Sequence, residues 1–218
     1  MKHREDLEEL FRFLAITGIL TSEKQRKQIS YYLELLENWS SKQNLVSNND
    51  KHHLIKRHFV PSLFLHACLP KIIGGRILDL GSGAGFLGVL IKIMRPDIQI
   101  TLLDSSKKKI LFLQEVCERL GLDAHIVCRR CEDYWDEGSQ QYQFVVARAV
   151  ARIQILLKLV FPLLITGGQL WLLKGIDYEK EIAEVEEIKQ RHMVYKPAVE
   201  WLKYVNYLEN KCVISVEK

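Results

Sequence analysis

Apolar residues recur at helical spacing through the first third of the chain and in short strand-like runs through the rest. Leu7, Leu10, Phe11 and Leu14 fall on one helix face. A second stripe, Ile29, Leu33 and Leu36, follows Ser22 with Gln25 three residues on, the spacing of a capping box. A third helix is predicted from about Asp50 and carries Leu54, Phe59 and Leu63; Pro61, which has no N–H, should kink or end it. At Gly74-Gly75 the texture changes. Arg76 to Leu80 is predicted as a strand, Leu87 to Met94 as a helix, Ile98 to Leu103 as a strand, and Ser106 to Leu120 as a helix closed by Gly121.

Further strands are predicted over Ala124 to Cys128, Phe144 to Ala147, and Gln169 to Leu173, the last entered through Gly167-Gly168. Strand alternating with helix implies a mostly parallel sheet with helices on both faces, an α/β Rossmann-like fold. Val199 to Tyr207 and Cys212 to Val216, separated by Glu209-Asn210-Lys211, read as a closing antiparallel hairpin. The division expected is a helical segment over residues 1–71 and a ligand-binding domain over 72–218.

Composition adds bounds. The chain has 218 residues, 48% hydrophobic and 27% charged, enough for a substantial core without a disulfide or metal staple. A net charge of +4 permits contact with an anionic polymer but does not demand it. Five cysteines without framework spacing point to a reducing compartment. Met1 to Asp6 is charged and unlike a signal peptide, and the richest apolar run, Ile153 to Ile165, is short and holds Lys158 and Pro162. A cytoplasmic protein with no membrane partner, acting as a monomer, is the expectation.

The chemistry centres on Asp79-Leu80-Gly81-Ser82-Gly83-Ala84-Gly85, placed where a buried strand turns into a helix at the carboxyl edge of the sheet. Glycines there let backbone approach a ligand and take positive φ. Asp104 ends the second strand, where a carboxylate can accept from both hydroxyls of a ribose or, alternatively, cap the next helix. Gly83-Ala84-Gly85-Phe86-Leu87-Gly88 also satisfies the dinucleotide fingerprint, so an NAD enzyme is a rival. Asp79 argues against it: an acid near the turn opposes a pyrophosphate but attracts the cationic amine and sulfonium of S-adenosylmethionine. After the third strand, Arg129-Arg130-Cys131-Glu132-Asp133 offers an acid for the adenine edge. Cys128 and Cys131 form a C-x-x-C that lacks a second pair for zinc; they are read as apolar fillers, with Cys131 lining the adenine pocket.

These residues resemble the bacterial RsmG (GidB) family, methyltransferases that act on N7 of a guanine in small-subunit ribosomal RNA. The resemblance spans nearly the whole chain. It rests on Trp39 with Asn44-Leu45, Arg57-His58-Phe59 with Ser62, Ile77 through Phe86, and Leu102 through Ser105 followed by Lys107-Lys108 and Phe112-Leu113. Arg148-Ala149 and Leu173-Lys174-Gly175 complete it. Departures are Leu87 in place of proline, Pro61 in place of an acid, and Val46 in place of threonine.

The resemblance implies a class I methyltransferase fold and S-adenosylmethionine as cofactor. Asp79, Gly81, Ser82, Gly83, Gly85, Phe86, Asp104, Ser105, Cys131, Glu132 and Arg148 would hold it. Arg148 and Lys174 would be catalytic: Arg148 toward the donor carboxylate or the guanine edge, unless it salt-bridges Asp104 or Glu132, and Lys174 toward guanine O6 or a phosphate. Arg57, Lys107, Lys108 and Arg130 would meet the RNA, with ribosomal RNA or the small ribosomal subunit as partner. Methyl transfer to a small molecule or another RNA, and a diverged non-catalytic RNA-binding module, stand as alternatives.

Overall fold

The computed structural model describes residues 4–43, 45–47, 49–71, 73–139, 141–175, 177–185, 192–195 and 211–218. Helices α1 (Arg4–Ile16) and α2 (Glu23–Lys42) open the chain. The capping box at Ser22 is present: the Gln25 N–H donates to Ser22 Oγ and the Ser22 N–H to Gln25 Oε1. The Gln25 amide also donates to the carbonyls of Ile93 and Met94, at the end of α4 (Gly88–Met94). Gln28 does the same for Leu120, the last residue of α5 (Lys107–Leu120). Carbonyls at a helix C-terminus have no intrahelical partner, so α2 satisfies those of two following helices and fastens the helical segment to the sheet.

The third helix is continuous through Pro61. A π-turn over Ile55–Phe59 leads directly into α3 (Val60–Cys68). The wider turn relieves the clash between a proline ring and the carbonyl four residues back.

Seven described strands form one sheet: β1 (Arg76–Leu80), β2 (Gln99–Asp104), β3 (Ala124–Cys128), β4 (Tyr142–Arg148), β5 (Leu164–Lys174), β6 (His192–Tyr195) and β7 (Cys212–Glu217). Their order is β3-β2-β1-β4-β5-β7-β6. The first five are parallel, and β7 runs antiparallel to both β5 and β6. The predicted strand at Cys212 is thus present; the other arm of that hairpin, Val199 to Tyr207, lies outside the described residues. Strand β5 starts earlier than predicted. Gly167 at φ +73°, with a register shift against Tyr142 and Phe144, makes a bulge inside the strand. A short α6 (Trp135–Gly138) precedes β4, the apolar run after β4 forms α7 (Ile153–Val160), and α8 (Tyr178–Ala183) follows β5.

Alternation sorts the strands between two cores. Ile77, Ile100, Leu102, Phe144, Val146 and Trp171 pack with α1 to α5, whereas Leu78, Leu103, Val145, Leu170 and Leu172 pack with α7. The strand order reverses between β1 and β4, where such sheets open a crevice at their carboxyl edge. Gly81 and Arg148 leave the sheet on its two sides.

Candidate active site

The turn after β1 carries three left-handed glycines, Gly81, Gly83 and Gly85, at φ +66°, +61° and +85°. The Ser82 N–H donates to the Leu103 carbonyl on β2, and its hydroxyl to the Asp79 carbonyl. A Cβ on Gly88 would stand 2.3 Å from Leu102 Cδ2 and 2.6 Å from Asp79 Oδ2, so only glycine lets α4 approach the sheet this closely. Leu87 is buried.

Asp79, expected to attract a cationic donor at the turn, points inward instead. It is 2% exposed, and Oδ2 accepts the Gly88 N–H at 2.9 Å at the start of α4. Burial pushes its pKa up to about 7, against the opposing pull of Gly88 and Ser82. Asp104 takes the capping role weighed for it. Oδ1 accepts the Ser106 N–H, capping α5, while the Ser106 hydroxyl makes no cap bond. Oδ2 accepts the Gly83 N–H at 2.9 Å and lies 3.5 Å from Lys109 Nζ. One carboxylate thus ties the glycine turn to the end of β2.

Ser105 is exposed beside it, and Glu132 is exposed at the head of a 3-10 turn, Glu132–Tyr134. Cys131 departs from the expected pocket lining. It is 7% exposed within the α7-side core, and its thiol donates to the Leu159 carbonyl. Burial pushes that thiol up to about 11, and the filler reading fits. Cys128 is exposed and both sulfurs are free thiols. Among the described residues no cluster of His, Cys, Asp or Glu could hold a metal ion.

Across the crevice, Arg148 does not take the salt bridge to Asp104 or Glu132 that its placement allowed. Its guanidinium donates to the carbonyls of Arg57 (2.8 Å) and His58 (3.5 Å) and lies 5.8 Å from the Phe86 ring centroid. His58 stacks on Phe86 with centroids 4.0 Å apart. Burial, then the charge of Arg148, lowers its pKa to about 4, so the ring is neutral. Asp50 pairs with Arg57 at 3.0 Å and stands 3.7 Å from His58 Nε2.

Sequence reasoning missed Tyr32. Its hydroxyl donates to the Ala84 carbonyl inside the glycine turn at 2.7 Å, and its ring stacks on Phe59. The only sequence signal was its position beside the buried stripe of α2, which does not reveal a contact spanning fifty residues of chain.

Lys174 ends β5 with its side chain only 14% exposed. Nζ is 2.8 Å from Glu181 Oε2 and donates to the Ala151 carbonyl. Of the basic residues assigned to RNA, Arg57 is brought to Arg148 and paired with Asp50; Lys107 and Arg130 are exposed and Lys108 is half-buried. Lys107 opens α5 after β2 and Arg130 follows β3, so both lie at the carboxyl edge with the turn.

Comparison with known proteins is consistent with this geometry. Residues 25–207 match the family described as rRNA small subunit methyltransferase G, GidB. A "Ribosomal RNA small subunit methyltransferase G" from Streptococcus pneumoniae is 36% identical over 184 residues, covering 82% of this chain and 77% of the relative. Among solved structures, a predicted O-methyltransferase from Agrobacterium tumefaciens superposes with TM-score 0.56 at 16% identity, over 72% of this chain and 80% of that one. The plantazolicin methyltransferase BpumL, in complex with SAH, gives 0.54 at 15% identity, over 90% and 99%. The two structures share the class I methyltransferase fold; the sequence matches establish that this chain belongs to the rRNA small subunit methyltransferase G family.

Proposed function

We propose that this protein transfers a methyl group from S-adenosylmethionine to N7 of a guanine in small-subunit ribosomal RNA. The observation that carries the reading is the glycine turn anchored through Gly83 to Asp104, with Arg148 from the end of β4 standing over Phe86 of that same turn. The residues fit the donor. A Cβ added at Gly83 would meet nothing nearer than 3.8 Å, so the backbone there is open to a ligand. S-adenosylmethionine, when bound, supplies a methyl group carried on a positively charged sulfur. Gly81, Ser82, Gly83 and Gly85 would line its bed. Asp104 and Ser105 would take the ribose, and Glu132 the adenine edge, with the backbone of Cys131 beside it.

Guanine N7 carries a lone pair and no proton, so the protein needs no general base. Its work is alignment of the acceptor with the donor methyl. The neutral His58 stacked on Phe86 offers a flat wall for that purpose, and Arg148, oriented by two carbonyls, would stand toward the donor carboxylate or the guanine edge. In this reading the helical segment, residues 1–71, supplies the wall, and the domain over residues 72–218 supplies the donor bed. Arg57, Lys107, Lys108 and Arg130 would meet RNA phosphates. The protein would work as a monomer in the cytoplasm; no helix among the described residues is long and apolar enough to cross a membrane.

The test is transfer of labelled methyl to small ribosomal subunits, and to their purified RNA, from cells lacking this protein. Label recovered as 7-methylguanosine at one position is the expected result. Label in a different product would sink the N7 assignment, and donor binding with no label in RNA would sink the acceptor assignment.

A further inference from the structure

The loop leaving β4 reaches over the glycine turn. Ala149 has φ +52° and is the one non-glycine residue with positive φ among the described residues. A side chain with a Cβ is disfavoured there. Val150 follows, with Cγ2 2.8 Å from where a Cβ on Gly81 would stand. The loop therefore sits on the donor turn in a conformation that its own sequence resists, and something must hold it.

The grip comes from α8 and the end of β5. Glu181 Oε2 accepts the Ile153 N–H at 2.9 Å and the Lys174 ammonium at 2.8 Å. Lys174 in turn donates to the Ala151 carbonyl at 3.0 Å, and Arg152 pairs with Glu184. Three consecutive residues, 151 to 153, are thus fastened from one side. Side-chain exposures of 14% for Lys174 and 21% for Glu181 keep this pair from the full screening of a surface ion pair. Burial works against the Glu181 carboxylate, yet the bonds from Lys174 and Ile153 hold its pKa below the ordinary value.

We propose that Glu181 and Lys174 form a clamp that holds the Ala149–Ile153 loop over the donor turn. Glu181 is a positioning residue, and Lys174 serves the protein's own backbone instead of reaching the guanine or a phosphate. The proposal rests on the donor-binding reading and deepens it: the loop forms part of the donor site, and the clamp sets donor affinity before any RNA arrives.

The experiment is calorimetric titration of S-adenosylmethionine into the wild-type protein, Glu181→Gln, Lys174→Met and the double variant, each checked for cooperative thermal unfolding. Each single variant is expected to raise the donor Kd about tenfold, and the double no further, because the two residues act as one unit. Ala149→Gly, which relaxes the positive-φ position, is expected to restore most of the affinity when added to Glu181→Gln, measured well below both melting transitions, where a general gain in stability does not change the Kd of folded protein. Lys174→Met carries the test alone should Glu181→Gln fail to fold. Unchanged donor Kd in folded single variants, multiplying effects in the double, or no rescue by Ala149→Gly would overturn the clamp. A wild-type protein that binds no donor would overturn both the clamp and the reading beneath it. One that binds donor but leaves RNA unlabelled would remove the acceptor assignment, with the clamp judged on the Kd values.

Discussion

Arg148 donates at 2.8 Å to the carbonyl oxygen of Arg57, the oxygen that Pro61, four residues further along the helix, has no N–H to meet. An α-helical residue 61 would ordinarily fill that acceptor. Its absence, together with the π-turn over Ile55–Phe59, leaves a carbonyl for an arginine arriving from β4. Pro61 thus has a structural use: it helps fix the direction of the Arg148 guanidinium over Phe86.

Arg148→Ala is therefore expected to abolish methyl transfer. It should also destabilise the fold by about 1 kcal/mol, a Tm drop of about 2–4 °C for a chain this size. In a Pro61→Ala background the helix regains its own donor, and the stability cost of losing Arg148 should shrink. Thermal melts of the four proteins check this; an identical cost in both backgrounds would show that the Arg57 carbonyl is not the coupling point.

What the sequence revealed was local, and what it hid was long-range. Asp79, Asp104 and the glycines were readable because a strand–turn–helix places them by a few residues of chain. The direction of Asp79 was not, because its inward turn depends on Gly88 admitting the carboxylate against α4. Cys131 looked like pocket lining because the sequence does not say that its thiol meets Leu159 in the α7-side core. Lys174 looked free for substrate because nothing in the chain announces that α8 brings Glu181 back to it. Likewise Gln25 signalled its own helix cap but not its second bond to the end of α4.

Tyr32→Phe removes a single hydroxyl from a fully buried ring and leaves the Ala84 carbonyl without that donor. The expected loss is about 1–2 kcal/mol of stability, with a weaker donor Kd because the glycine turn loses its strut. Urea unfolding and donor titration read the two effects separately. A variant equal to wild type in both would remove α2 from the donor site.

The glycines should fail in graded order. Gly83→Ala makes only an ordinary contact with the Gly81 carbonyl at 3.8 Å and suffers its left-handed φ, about 1 kcal/mol. Gly88→Ala drives a methyl into Leu102 and the Asp79 carboxylate and should cost about 2–3 kcal/mol or prevent folding. Gly81→Asp combines a left-handed φ with a clash against Val150 and should abolish donor binding. Stability curves and donor titrations for the three variants check the ranking; Gly83→Ala proving worse than Gly88→Ala would contradict the packing described for α4.

Asp79 makes stability depend on pH in a direction opposite to that of a salt-bridged acid. Its pKa rises from 3.8 to about 7 on burial, so between these values the native chain keeps a proton that the unfolded chain has released. The unfolded state then binds fewer protons, and stability must fall as pH climbs through that window, by roughly 4 kcal/mol at most. Asp79→Asn retains an oxygen for the Gly88 N–H and has no charge to bury. Relative to wild type, it should be more stable at pH 8, with the gap closing toward pH 4; unfolding curves at four pH values would show it, and parallel pH profiles would refute it.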